Sequence, residues 1–173
     1  MTAALPLIRA ARHADLPALY RLVVGLARYE KLEDQVVSSV ADFEHALFGP
    51  DARVEAVLAW SPGGDPATAE PVGFALFFHN FSTFLGRRGL YLEDLFVEPE
   101  HRGRGYGKAL LAHLARLAVE RGCGRFEWSV LDWNVDAQRF YESLGATVMP
   151  DWRITRVTGP ALQALAALAA EAP

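Results

Sequence analysis

Seven consecutive residues, Arg102, Gly103, Arg104, Gly105, Tyr106, Gly107 and Lys108, hold three glycines and three cations. Glycine lets a backbone come close to a ligand, and the N–H groups at the start of a helix attract phosphate. The flanking guanidinium and ammonium groups add positive charge where a pyrophosphate would sit. Arg102, Gly105 and Gly107 fill the pattern R-x-x-G-x-G. Two other phosphate-binding patterns fail: a G-x-G-x-x-G starting at Gly103 ends on Lys108, and a P-loop ending in Gly107 and Lys108 would begin on Arg102 and finish on Ala109. Just upstream, Glu93 and Asp94 interrupt an apolar run of Leu90, Tyr91, Leu92, Leu95, Phe96 and Val97. A carboxylate there costs free energy unless it is paired or used. Strand alternation predicts opposite faces for the two. Downstream, Asn134 suits a helix N-cap. Tyr141 shares a helical face with Ala137, Phe140 and Leu144, as a core tyrosine or a working phenol. Cys123, alone between Gly122 and Gly124, makes no disulfide and no Cys-based zinc site. His13, His45, His79, His101 and His113 lack metal-ligand spacing, so no metal is expected.

Alternating and helical periodicities predict the elements that position these residues. Residues 5–10 read as a strand. Asp15 is expected to cap a helix with Leu16, Leu19, Tyr20, Val23, Leu26 and Ala27 on one face, and Ser39 to cap a second helix ending at Gly49. Residues 53–60 and 71–79 read as an antiparallel hairpin around the Gly- and Pro-rich loop 61–70. Residues 90–97 form a third run. A helix over 105–121, a strand over 125–131 and a helix over 134–144 follow. Aromatic and β-branched residues over 146–157 predict a final strand or hairpin, and 160–172 an Ala- and Leu-rich helix. The order is β-α-α-β-β-β-α-β-α-β(β)-α, an α/β protein with a mixed sheet.

The chain has 173 residues, enough for one domain over 1–173, and 51% are hydrophobic, which excludes general disorder. A net charge of −4 argues against broad polyanion or nucleic-acid binding but allows one basic patch. A single cysteine, no secretory signal pattern and no apolar run of about 18 residues predict a cytoplasmic protein without membrane contact.

Arg102 to Gly107, following the 90–97 strand, resembles the acyl-CoA signature of the GNAT superfamily of N-acetyltransferases, and the element order is similar to that fold. LARYEKLEDQV (26–36), LYLEDLFV (90–97), LDWN, FYESLG (140–145) and Trp152-Arg153 extend the resemblance to its diamine (spermidine/spermine) and thialysine branch, over nearly the whole chain. The resemblance implies an acetyl-CoA-dependent transfer to a primary amine. Pantetheine would lie along Leu95, Phe96 and Val97 and touch Asn134. The pyrophosphate would meet Arg102, Gly103, Arg104, Gly105, Tyr106, Gly107 and Lys108, with His101 nearby. An alkylammonium must lose a proton before it attacks. The resemblance gives that task to Glu93, directly or through water, and the role of general acid toward the leaving thiolate to Tyr141.

For the acceptor it implies Tyr29, Glu30, Glu93, Glu127, Trp128, Ser129 and Trp152, with further acids at Glu33, Asp34 and Asp151. The connection between Gly145 and Trp152 is shorter than in polyamine enzymes. Arg28 and Arg153 would instead suit the carboxylate of a thialysine- or lysine-like acceptor. A homodimer is also expected on resemblance. Two alternatives stay open: a non-catalytic acyl-CoA-binding or sensing module of this fold, and acetylation of a protein amine.

Overall fold

Residue patterns that alternate at period two in the first 129 positions build a sheet, and those at period 3.6 cover it. The computed structural model describes residues 6–62 and 69–170. Two compact units make up the chain, 1–129 and 130–173. The first contains β1 (Leu7–Ala10), α1 (Leu16–Tyr29), α2 (Val40–Phe48), β2 (Val54–Trp60), β3 (Gly73–Ser82), β4 (Arg87–Val97), α3 (Tyr106–Glu120) and β5 (Phe126–Trp128). The sheet runs β1-β2-β3-β4-β5, antiparallel except where β4 meets β5 in parallel. The expected β2–β3 hairpin is present. The expected start of β1 at Leu5, residues 63–68 of the hairpin loop and the end of the tail helix at 171–172 lie outside the described residues.

On one sheet face Leu19, Leu22 and Leu26 of α1 pack on Ala56, Leu58, Trp60, Phe74, Leu76 and Phe96. Burying such side chains contributes roughly 1.5–3 kcal/mol each before entropy is counted. Phe43 and Leu47 of α2 close over the same cluster. Ser39 caps α2 as expected, sharing a capping box with Asp42. Asp15 does something else. Its carboxylate makes no cap bond to α1; it accepts from Arg9 at 2.7 and 2.9 Å and from the Arg12 N–H at 2.7 Å. Burial pulls its pKa up, but these bonds outweigh burial and hold it below the usual value. The Arg9 guanidinium then stacks 4.3 Å from the Trp60 ring centre.

The opposite face carries α3, with Leu110, Leu111, Leu114 and Ala118 buried. At its end Arg121 donates to Glu55 Oε2 at 2.8 Å and lies 3.0 Å from His79 Nε2. His79 Nδ1 lies 3.0 Å from the Gly89 carbonyl and 3.8 Å from Cys123 Sγ. A proton on Nδ1 satisfies Gly89, leaving Nε2 to accept from Arg121. The Arg121 hydrogen bond holds the Glu55 carboxyl below its ordinary range.

The second unit holds α4 (Val135–Ser143) and α5 (Gly159–Ala167), which ends in a 3₁₀ turn over Leu168–Ala170. The strand expected over 146–157 is absent: residues 146–158 are irregular and exposed in large part. Pro150 removes a ladder donor in the middle of this run, and the Trp152 N–H turns back toward the Met149 carbonyl. That splits the apolar run into two short pieces. The strand expected over 125–131 is likewise shorter, only Phe126–Trp128.

Candidate active site

Local sequence sets the cationic end of the site. Gly103 and Gly105 adopt φ of 72° and 87°, the left-handed region that glycine enters without a Cβ penalty, and a Cβ at either would meet nothing within 4 Å. Gly105 is the N-cap of α3, and the first i to i−4 bond of the helix runs from Ala109 N–H to the Gly105 carbonyl at 2.9 Å. The N–H groups of Tyr106, Gly107 and Lys108 therefore have no intrahelical partner, at the positive end of a 15-residue helix. Arg104 and Lys108 are exposed beside them. Tyr106 turns its ring inward, with its hydroxyl 3.2 Å from Ser61 Oγ, so it offers the loop only its backbone. The side chain of Arg102 folds back: Nε donates to the Val97 carbonyl at 3.0 Å and the guanidinium stacks on Tyr29, 4.3 Å from the ring centre, and on Phe96 at 5.6 Å. It clamps the loop to the end of β4 and to the end of α1.

The opening in the sheet follows from one extra residue. Leu92 pairs with Phe77 and Asp94 with Leu76, which leaves Glu93 unpaired as a bulge. β5 accompanies β4 only from Leu90 to Leu92. From Glu93 through Leu95, Phe96 and Val97, β4 keeps β3 on one edge, and no described strand borders the other. An open edge of this kind offers main-chain amide and carbonyl groups to an extended amide-bearing ligand.

The bulge also decides where the carboxylates go. Leu92 faces α3 with Phe77, whereas Asp94 shares the α1 face with Leu76. Glu30 is the C-cap of α1, where the helix presents its negative end, and Lys31 in the left-handed conformation (φ 60°) turns the chain away. Burial raises the Glu30 pKa. Burial first, then the charges of Glu93 and Glu30, push Asp94 up to about 6. Glu93 itself is exposed. The sequence reading chose Glu93 and gave Asp94 no site role. Only the bulge, which residue types do not announce, brings Asp94 into this cluster.

Other expected acceptor residues are placed less simply. Glu127 accepts from Asn80 at 2.9 Å and pairs with Arg125 at 2.7 Å. Gly89 makes that cluster possible, since a Cβ there would sit 2.3 Å from Asn80 Oδ1. Arg28 donates to Glu33 at 2.7 Å, so both charges are engaged with each other. Trp128 lies on the α3 face by its register with Leu92. Ser129 is exposed with its hydroxyl 2.8 Å from that of Tyr91, a partner the sequence reading missed. Glu98, Glu100 and His101, in the turn before Arg102, bring ligand atoms within 4.8 Å of one another, but Glu98 is already paired with Arg21.

In the second unit Asn134 is the N-cap of α4, accepting from the Ala137 N–H at 3.3 Å. Tyr141 lies on α4 with its ring 5.4 Å from that of Phe140. Trp152 is 75% exposed in the irregular segment.

A phosphate-ready helix start, an open strand edge and a carboxylate cluster at the bulge all lie in the first unit. The profile of the acetyltransferase (GNAT) family matches residues 23–146, and the chain belongs to that family. It is an N-acetyltransferase, an enzyme that acetylates amines, and members of the family use acetyl-CoA. Among its relatives, L-ornithine N5-acetyltransferase NATA1 of Arabidopsis thaliana is 34% identical over 197 residues, covering 91% of this chain and 86% of that protein. Thialysine N-epsilon-acetyltransferase of Bos taurus is 37% identical over 165 residues, covering 92% and 96%. The solved structure of an integron cassette protein from the mobile metagenome of V. cholerae superposes with a TM-score of 0.76 at 27% identity, covering 93% of this chain and 97% of that one. Among the described residues no helix is long and apolar enough to cross a membrane.

Proposed function

We propose that this N-acetyltransferase, acting as one domain over its whole length, moves the acetyl group of acetyl-CoA to the primary amine of a small cationic acceptor. The acceptor is a diamine or a thialysine-, lysine- or ornithine-like amino acid, a class in keeping with the relatives above. The observation that carries the reading is the carboxylate cluster at the sheet opening: the charges acting on Asp94 are those of Glu93 and Glu30, both negative. A site that gathers like charge in this way gains most by taking up a cation.

Acetyl-CoA, when bound, supplies an activated thioester. The donors that fit its pyrophosphate are the N–H groups of Tyr106, Gly107 and Lys108, the open turn through Gly103 and Gly105, and the charges of Arg104 and Lys108, with Arg102 anchoring the loop. The free edge through Leu95, Phe96 and Val97 suits its amide-bearing arm, together with Asn134. Glu30, Glu93 and Asp94 draw in the ammonium and orient it. Glu93, exposed at the bulge, takes the proton directly or through water. Asp94, pushed up to about 6, sets the lower pH limit of activity. The phenol of Tyr141 donates to the leaving sulfur, and Tyr141→Phe lowers kcat with little change in acetyl-CoA affinity. Tyr29 and Trp152 border the acceptor.

The test is thiol release from acetyl-CoA with spermidine, putrescine, thialysine, L-ornithine, L-lysine and an aminoglycoside, alongside a thermal shift with acetyl-CoA alone. Ligand at 100 times its Kd stabilises a protein by about 2.7 kcal/mol. Turnover with at least one small amine and a clear shift are expected. A shift without turnover of any amine replaces this reading with an acyl-CoA-binding module, and no shift at saturating acetyl-CoA removes both.

A further inference from the structure

Along β4 and β5 the rungs Leu90↔Phe126, Tyr91↔Glu127 and Leu92↔Trp128 are regular. The next rung would set Ser129 beside Glu93, and it is not made, so Ser129 stands where the strands part. Tyr91 pairs with Phe78 across β3, and Asp94 with Leu76. Since Phe78 and Leu76 are two residues apart, Tyr91 and Asp94 share a face although they are three apart. Glu127 and Ser129 follow Tyr91 onto that face by the same alternation. There the Tyr91 hydroxyl lies 2.8 Å from Ser129 Oγ, and its ring packs on Phe78 with centres 5.2 Å apart.

Two hydroxyls joined by one bond keep one donor and several lone pairs for another partner. Ser129 is exposed, so this bond adds little to the fold. The groups around it divide the face. On one side lie Glu30, Glu93 and Asp94. On the other, Glu127 is closed into its contacts with Arg125 and Asn80. At about 4.8 Å between strands and about 3.3 Å per residue, the hydroxyl pair lies roughly 5–10 Å from the carboxylates, the reach of a chain of four to six atoms.

Resting on the acetyl-transfer reading above, we propose that Tyr91 and Ser129 form an acceptor subsite that selects amines bearing a hydrogen-bonding oxygen, carboxylate or hydroxyl, at the end remote from the reacting nitrogen, over plain diamines. A second ammonium would seek a carboxylate at that point and finds two neutral hydroxyls. An oxygen finds a donor. Ser129 and Tyr91 thus act on selectivity, with the reacting nitrogen held by the acids.

L-lysine and 1,5-diaminopentane differ by one carboxylate, and 5-aminopentan-1-ol replaces one amine of the diamine by a hydroxyl. Steady-state thiol release with all three measures the subsite. Ser129→Ala and Tyr91→Phe, the latter keeping the ring on Phe78, are expected to raise KM for lysine and the amino alcohol about fivefold, with kcat within twofold. The kcat/KM ratio of either oxygen-bearing acceptor to the diamine falls by a similar factor, and Ser129→Thr restores it. A ratio unchanged in both variants, or no rescue by threonine, overturns the subsite while leaving the acetyltransferase reading intact. A wild-type enzyme idle with every amine overturns that reading and the subsite with it.

Discussion

Glu55 and Asp94 are acids on strands of one sheet, and their surroundings treat them oppositely. Glu55, on the α3 face, meets the Arg121 guanidinium, which in turn donates to His79. Its carboxyl is held low, and the cluster of cation, carboxylate and imidazole is satisfied within itself. Asp94, on the α1 face, is pushed up to about 6 by burial and by Glu93 and Glu30. The first arrangement holds α3 to the sheet and asks nothing of a ligand. The second is costly in the empty protein, and an ammonium relieves it. Pairing, rather than residue type, separates the acid that supports the fold from the acid proposed to meet the amine.

Asp94→Asn is the strongest way to break this contrast. A displacement from 3.8 to about 6 corresponds to roughly 3 kcal/mol. Because the folded protein holds this proton more tightly than the unfolded chain, wild-type stability falls as pH rises from about 4 to about 6, and the full penalty remains at pH 7. The asparagine variant should therefore melt higher than wild type at pH 7 and converge with it at pH 4. Its kcat/KM at pH 7 should fall about 100-fold, and the acid limb near pH 6 should vanish. A lower melting temperature at pH 7 would mean that Asp94 is compensated after all.

Arg121→Met attacks the other side. The pair is partly exposed, so its loss should cost only about 1 kcal/mol, or about 2–4 °C in Tm. The Glu55 contribution is present above pH 4.5 and lost as pH falls through its lowered folded value, so the deficit shrinks in acid. kcat/KM should stay within twofold; a large fall in rate would erase the division between the two faces. Glu30→Gln has the smallest effect. With one negative charge fewer, Asp94 ionises more readily, and the acid limb of kcat/KM moves to lower pH. A limb that stays in place would take Glu30 out of the cluster.

Most of what positions the site was legible in residue types. Gly103 and Gly105 occupy positive φ where the pattern demanded a turn against a helix start, and Ser39 and Asn134 cap the helices expected of them. Where the structure departs from the residue types, contacts that spacing does not announce decide it. Asp15 stands at the cap position, but its carboxylate accepts from Arg9 and from the Arg12 N–H instead. Arg102, expected at the pyrophosphate, has its guanidinium over Tyr29 and its Nε on the Val97 carbonyl. The run over 146–157 had the composition of a strand, but Pro150 breaks it. Alternation gave Glu93 and Asp94 opposite faces on the assumption that β4 stays regular, and a single unpaired residue invalidates that count for everything after it.

That residue acts as a half-period phase slip. Upstream of Glu93, odd and even positions of β4 face one way; downstream they have exchanged sides. Were β4 to lose the bulge while keeping its length, Glu93 would pair with Leu76, Phe96 would rotate out of the α1 core and Leu95 into it, and Asp94 would cross to α3; deleting Glu93 instead leaves Asp94 opposite Leu76 and every later residue on its present face. The half-strand beyond the bulge can therefore be exchanged with that of another protein only together with the slip that precedes it, and no change in the length of a neighbouring loop can substitute.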